Sequence, residues 1–209
     1  MVGPVIAIAG LHGTGKTTTA QILAKSLGLR HVSAGYLFRE TARERGVSLS
    51  ELSLEASGKD ELDRLVDDRT KKEAGKGEVV LDGLLSAWMA GEDADLKFFL
   101  FASDNVRLSR IAGRDRCSLS EAKEATLMRE ELERGRFKRF YGVDIDDHSI
   151  YDLLLNTGLL SPEGNAQVLE SFVRAYLKEH KGEDVKCQQS ISDRSVLRPR
   201  DTKKGRSAS

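Results

Sequence analysis

The chain has 209 residues and a formal net charge of zero, with 33 Lys/Arg against 33 Asp/Glu. That length is enough for one α/β domain and short for two. No run of about 18 apolar residues occurs and the N-terminus lacks the order of a signal peptide, so a soluble, cytoplasmic protein without membrane contact is expected.

Two cysteines, Cys117 and Cys187, are too far apart for a zinc pair and too few for a disulfide framework, and read as ordinary thiols. The neutral total hides a split. Residues 181–209 carry 8 Lys/Arg and 4 Asp/Glu, which leaves −4 on residues 1–180. This tail is poor in apolar residues and reads as a basic, disordered extension beyond a domain spanning 1–180.

In chain order, Val5-Ile6-Ala7-Ile8-Ala9 is a short apolar run of strand type. Gly10 to Thr17 then fits the phosphate-loop pattern G-x-x-x-x-G-K-[ST] without a mismatch, and Ala20, Leu23, Ala24 and Leu27 follow at helical spacing. Glycines let successive backbone N–H groups point inward, and the helix beginning near Lys16 adds the positive end of its dipole, which together make an anion cradle. Lys16 is placed to reach the β- and γ-phosphates of a nucleotide, and the Thr17 hydroxyl to ligate Mg²⁺.

Gly28 reads as a helix stop and Leu29–Val32, ending at Ser33, as a second strand, with His31 a strand residue rather than a catalytic base. Ser33-Ala34-Gly35 opens a helix that puts Arg39 one turn in, where a guanidinium can grip a second phosphate or stay solvated. From Gly46 to Gly77 the chain is charged and helical, with a capping-box signature at Ser48–Glu51 and a second start at Asp60 before Leu62, Leu65 and Val66. So much helix between two strands exceeds what a crossover needs and predicts an inserted, mobile helical lobe.

Val79–Asp82 is a buried-strand run ending in a carboxylate, which places Asp82 to orient Mg²⁺ or order a substrate. Trp88 and Met89 read as core. Leu96–Ala102 is a further strand, and Ser103-Asp104 starts a helix carrying Arg107, Arg110 and Arg114. Ser118–Tyr141 is highly charged, opened by a second capping box and carrying Arg129, Arg134, Arg136 and Arg139, a composition shared by a solvated helix face and by a lid that closes arginines over phosphates. Asp144-Ile145-Asp146-Asp147 fails as a calcium loop, because position six is Ser149 and position twelve Leu155, and reads as a polar turn. Leu153–Leu155 forms the last strand, and Ser161-Pro162-Glu163 opens a closing helix through Leu177.

Over roughly residues 4–178 these pieces resemble the nucleoside monophosphate kinases, and most closely the archaeal-type cytidylate kinases. The resemblance rests on the phosphate loop, Ser33-Ala34-Gly35 with Phe38-Arg39, Leu81-Asp82-Gly83 with Trp88-Met89, Arg110–Arg114, and Tyr141–Ile145 leading to Ser149–Asp152. It implies a three-layer α/β phosphate-loop NTPase fold with a parallel central sheet, a monophosphate-binding insertion at about 35–77 and a helical lid at about 114–142. The implied reaction moves the γ-phosphoryl group of ATP, with Mg²⁺, to CMP or dCMP.

By the same resemblance ATP would contact Gly10, Leu11, His12, Gly13, Thr14, Gly15, Lys16, Thr17, Thr18 and Arg110. The acceptor would contact Ser33, Gly35, Arg39, Asp82 and Arg136, while Lys16, Arg114 and Arg129 would serve the transferring group and Thr17 with Asp82 the metal. The expected partners are small-molecule nucleotides bound by a monomer. Two departures stand out. Leu84 follows Asp82-Gly83 where the family pattern often has arginine, a lost contact worth about 1.5–3 kcal/mol unless another arginine replaces it. Leu11 and His12 fill variable loop positions where proline is common, and little weight attaches to them.

Other readings stay open at this stage. A GTPase is disfavoured, since no Asn-Lys-x-Asp sequence occurs and Asp82-Gly83 does not continue as a D-x-x-G switch. A kinase for AMP, UMP or a non-nucleotide acceptor shares the ATP site. A nucleotide-binding regulatory or assembly ATPase with its tail on RNA is the reading from another class, although eight cations mixed with four anions and no aromatic residue make a weak nucleic-acid signal.

Overall fold

The structure is a computed structural model that describes residues 3–58 and 61–180. The basic tail 181–209 with Cys187, the helix start at Asp60, and the side chains of Leu62, Leu65 and Val66 lie outside the described residues. Residues up to 170 form one compact unit. A second unit covers 171–209, and its described part is the last portion of helix α8, where the Tyr176 and His180 rings stack with centroids 4.2 Å apart.

Five strands form one parallel sheet in the order β2-β3-β1-β4-β5, with β1 at Val5–Ala9, β2 at Arg30–Ser33, β3 at Val79–Asp82, β4 at Leu96–Phe101 and β5 at Leu153–Asn156. Strand β1 is flanked by β3 and β4, so the chain reverses direction across the sheet at the C-terminal end of β1, where open α/β sheets bind ligands. Every residue of β1 is buried, which is why it reads as a continuous apolar run rather than an alternation. On one face Val5, Ala7, Ala9, Val79, Leu81 and Phe99 pack with Ala74, Ala87 and Ala90. Ile6, Ile8, Val80, Phe98 and Leu100 are fully buried and alternate to the other face, and α1 packs on the sheet through β1–β3. The layered α/β architecture with a parallel sheet is the one predicted.

Local signals account for most helix ends. Helix α1 (Lys16–Leu27) starts after Gly15 at φ 84° and stops at Gly28, whose φ of 69° only glycine adopts cheaply. Between β2 and β3 lie α2 (Ala34–Arg45), α3 (Leu49–Gly58) and α4 (Glu61–Ala74), with no strand among the described residues there. Ser33 caps α2 by accepting a hydrogen bond from Tyr36 N. Ser48 and Glu51 exchange reciprocal capping bonds at the start of α3. Phe38, Ala42 and Leu52 give this insertion a small core of its own.

After β3 come the short α5 (Ser86–Ala90), α6 (Asp104–Asp115) and the 23-residue α7 (Leu119–Tyr141), followed beyond β5 by α8 (Pro162–His180). Of the two readings that the composition of α7 allowed, the solvated face is excluded: the helix packs on α3 and α6 and buries Ala122, Thr126, Glu130, Glu133, Arg136 and Phe137. Hydrophobic patterning misses this seam because most of its buried groups are polar, Glu130 and Glu133 pairing with Arg107, His12 and Arg129. Trp88 and Met89 join the apolar cluster of Leu85, Phe137, Val143 and Ile145, as read. Asp144 and Asp147 accept the N–H groups of Asp146 and Ser149, the polar turn expected there. Among the described residues no helix is long and apolar enough to cross a membrane.

A Cβ on Gly10, at φ 141°, would sit 2.1 Å from the Leu100 carbonyl oxygen, whereas one on Gly28 would meet open space. Gly28→Ala is therefore expected to cost only the left-handed penalty, about 1–2 kcal/mol, and Gly10→Ala several times that, as read by urea unfolding.

Candidate active site

Strand β1 hands the chain to the phosphate loop at the sheet's C-terminal edge, and the loop closes around one cavity of about 640 Å³. Of the sequence-predicted residues, His12, Gly13, Thr14, Gly15, Lys16, Thr17, Thr18, Gly35, Arg39, Asp82, Arg110, Arg114, Arg129 and Arg136 line that cavity. Gly10, Leu11 and Ser33 do not. Gly10 is pressed against the β4 backbone, and Leu11 packs on the apolar cluster around Phe137 while its carbonyl accepts bonds from Lys16 Nζ and Thr14 Oγ1 at 2.8 Å each. Ser33 acts behind the wall, donating to Asp82 Oδ1 at 3.1 Å.

Asp82 is 2 % exposed and gathers three side chains. Its Oδ1 accepts from Thr17 Oγ1 at 2.9 Å as well as from Ser33, and its Oδ2 is 2.6 Å from His31 Nε2. His31, read from sequence as a plain strand residue, therefore braces the carboxylate. The period-two pattern of β2 does place residue 31 on a face, but nothing in it reveals a partner 51 positions away. The Thr17 hydroxyl and Asp82 carboxylate are paired hard oxygen donors, the donor chemistry that suits Mg²⁺.

Lys16 lies under α7, where burial pulls its ammonium down to about 8 against the opposing pull of Asp82. The guanidinium of Arg39 lies against Gly35, and burial followed by the charges of Arg114 and Arg129 lowers its pKa. Three arginines from α2, α6 and α7 thus face one another across the cavity. Such mutual repulsion is relieved by an anion placed between them. Arg114 is steered by a bidentate pair with Asp115 at 2.7 and 2.9 Å. Arg110 is held beside the loop by Thr157, donating to its carbonyl at 2.8 Å, while the Thr157 hydroxyl donates to Thr14 O at 2.8 Å. Arg134 instead pairs with Glu131 and Asp146 on the exposed side, and neither it nor Arg139 lines the cavity.

The little weight given to the residue types at positions 11 and 12 needs revision, because both are tied into the fold. Glu130 Oε1 accepts the His12 backbone N–H at 3.1 Å, and Glu133 Oε2 lies 2.7 Å from His12 Nε2. Arg107, 3 % exposed, donates to Glu130 at 2.7 Å and to the His12 carbonyl at 2.8 Å. Burial works to raise Glu133, but the His12 contact and the charge of Arg129 outweigh it and hold the carboxyl below the usual range. Burial lowers His12 against the opposing pull of Glu133. Arg129 bonds Glu133 at 2.9 Å and stacks 5.1 Å over the Phe38 ring of α2. Thr126, Glu130, Glu133 and Phe137 recur at 4-3-4 spacing, a helix-face signal present in the sequence but hidden by its polarity.

Three comparisons bear on this site. A family model described as the cytidylate kinase-like family matches residues 5–159. The cytidylate kinase of Staphylothermus marinus is 46% identical over 84% of this chain and 99% of its own length, and that of Haloquadratum walsbyi is 42% identical over 82% and 90%. Among solved structures, a shikimate kinase from Bacteroides thetaiotaomicron (18% identical, TM-score 0.56) matches over 82% of this chain and 98% of its own. A gluconokinase from Sinorhizobium meliloti (15% identical, TM-score 0.55) matches over 86% and 98%, and these two likenesses are of fold alone.

Because Arg107 and Glu130 are both buried, removing one leaves the other short of its main partner, Arg107 keeping only Asp104 and the His12 carbonyl and Glu130 only the His12 N–H. Glu130→Ala is expected to destabilise the fold by about 3–5 kcal/mol in urea unfolding, with the double variant Arg107→Met/Glu130→Leu closer to wild type than either single change.

Proposed function

The chain belongs to the cytidylate kinase-like family, and on that premise we propose that it transfers the γ-phosphoryl group of ATP to CMP or dCMP, releasing ADP and CDP or dCDP. The observation that carries the proposal is one cavity bounded by the phosphate loop on one side and by Gly35 and Arg39 of the insertion on the other, with Arg114, Arg129 and Arg136 between them. Two phosphate-bearing ligands fit such a cavity head to head.

In this reading the backbone N–H groups of the loop from Gly13 to Thr18 cradle the ATP phosphates at the N-terminus of α1, and Arg110 flanks them. Lys16 leaves the Leu11 carbonyl for the β- and γ-phosphates. Arg39 holds the monophosphate, with Ser33 and Gly35 shaping the turn that presents it. Thr17 and Asp82 would hold Mg²⁺, which neutralises phosphate charge when bound. Arg136 lines the same cavity and contacts the acceptor in this reading.

Phosphoryl transfer asks little covalent work of a protein. A phosphate oxygen of the acceptor attacks the γ-phosphorus in line while the bond to the β-bridging oxygen breaks, and negative charge spreads over the equatorial oxygens. Lys16, Arg114 and Arg129 cancel that charge, and the rest is alignment. Residues 114–142 act as the lid and 35–77 as the acceptor-binding insertion, closing together to exclude water as a competing acceptor.

ADP formation from Mg-ATP with CMP, dCMP, UMP, AMP and GMP offered separately tests the assignment. Turnover that depends on CMP or dCMP is expected, and slow ATP loss indifferent to every acceptor would overturn it. In the same assay Arg39→Ala is expected to raise KM for CMP by about ten- to a hundredfold while leaving KM for ATP near wild type; an unchanged KM for CMP would refute the role given to Arg39.

A further inference from the structure

The phosphate-binding groups account for one part of the cavity, and the remainder has a different chemistry. Asp67 and Thr70, three residues apart on α4, line it and are 7 % and 4 % exposed. Arg136 lines it from α7, and Leu85, Met89 and Phe137 supply an apolar wall from one packed cluster. An apolar wall with a buried polar rim suits a flat heterocycle, whose faces are apolar and whose edge carries donors and acceptors. Asp67 Oδ2 accepts a hydrogen bond from the Tyr141 hydroxyl at the end of α7, which orients the carboxyl where the insertion meets the lid helix.

We propose that Asp67 selects the base of the acceptor, its carboxyl oxygen accepting a hydrogen bond from the exocyclic 4-amino group of cytosine. The inference rests on the kinase reading above and deepens it. Cytosine carries an N–H₂ donor at position 4, whereas uracil carries a carbonyl acceptor there. As an ionised, acceptor-only carboxylate, Asp67 accepts from the first and faces the second with acceptor against acceptor. A site built to hydrogen-bond a donor rejects an analogue lacking it far more strongly than an apolar pocket rejects a changed shape, because the buried group is left without its partner. Asparagine at this position offers an amide N–H₂ in addition to its carbonyl, so the same rim then accommodates the uracil carbonyl.

The test compares kcat/KM for CMP and UMP at saturating Mg-ATP in wild type, Asp67→Asn and Tyr141→Phe. Asp67→Asn is expected to lower the CMP-to-UMP ratio by at least about tenfold, through KM for the acceptors and with KM for ATP unchanged. Tyr141→Phe removes only the supporting hydrogen bond and is expected to shift the ratio by much less. A CMP-active wild type whose ratio survives Asp67→Asn within about twofold overturns the inference and leaves the kinase reading standing, whereas a wild type without CMP-dependent turnover overturns both. The wild-type enzyme provides a check that needs no variant: the 5′-monophosphate of pyrimidin-2-one riboside lacks only the 4-amino group. It is expected to show a KM at least about tenfold above that of CMP, and equal KM values overturn the inference.

Discussion

In the parallel pairing of β1 with β3, Ile8 lies opposite Asp82, and the register fixes where the phosphate loop meets a buried carboxylate. The loop leaves β1 two residues after Ile8, so Thr17 at the start of α1 returns to within 2.9 Å of Asp82. The same carboxylate takes Ser33 and His31 from β2, the other neighbour of β3. One acidic side chain therefore ties together the loop, the sheet edge and the turn that opens the insertion. A slip of one residue in β3 would turn Asp82 to the other face of the sheet and dismantle all three contacts.

The second constraint is the polar seam beneath α7. Burying Glu130, Glu133 and Arg107 is expensive, and the seam is tolerable because each charge meets a partner: Arg107 bridges Glu130 and the His12 carbonyl, while Glu133 holds His12 and Arg129. A seam of this kind adds little net stability compared with an apolar one, but it specifies geometry, because every donor and acceptor has a required direction. Its effect is to seat α7 on the phosphate loop and to carry Arg129 out to the Phe38 ring of the insertion. The loop, α7 and the segment between β2 and β3 thereby share one chain of contacts that ends at the cavity, where the charges of Arg114 and Arg129 bear on Arg39.

The contiguous features were legible because their physics is local. The phosphate loop, the glycine stop at Gly28, the capping boxes at Ser48 and Ser118 and the apolar runs of the strands each depend on residues within a few positions of one another. Arg39 was legible as a candidate because a helix-opening turn sets its depth along α2. What Leu11 and His12 do beyond the loop was not legible for the opposite reason: a motif treats them as variable, and their contacts come from Glu130, Glu133 and the core around Phe137, more than a hundred positions away. Charge count alone does not say which arginines of α7 turn toward the cavity, and Arg134 and Arg139 are not among its lining residues.

The sequence by itself determined the strand, glycine loop and helix of the phosphate-loop motif, the parallel sheet that follows from alternating strands and helices, and the class of chemistry those imply, because short-range sterics and hydrophobic periodicity specify them. Only the tertiary structure decided which polar groups meet: Asp82 with His31, Glu133 with His12, Asp67 with Tyr141. Ion pairs and hydrogen bonds leave no periodic trace along the chain, since their strength depends on direction and on exclusion from water. Both are set only when distant elements pack together.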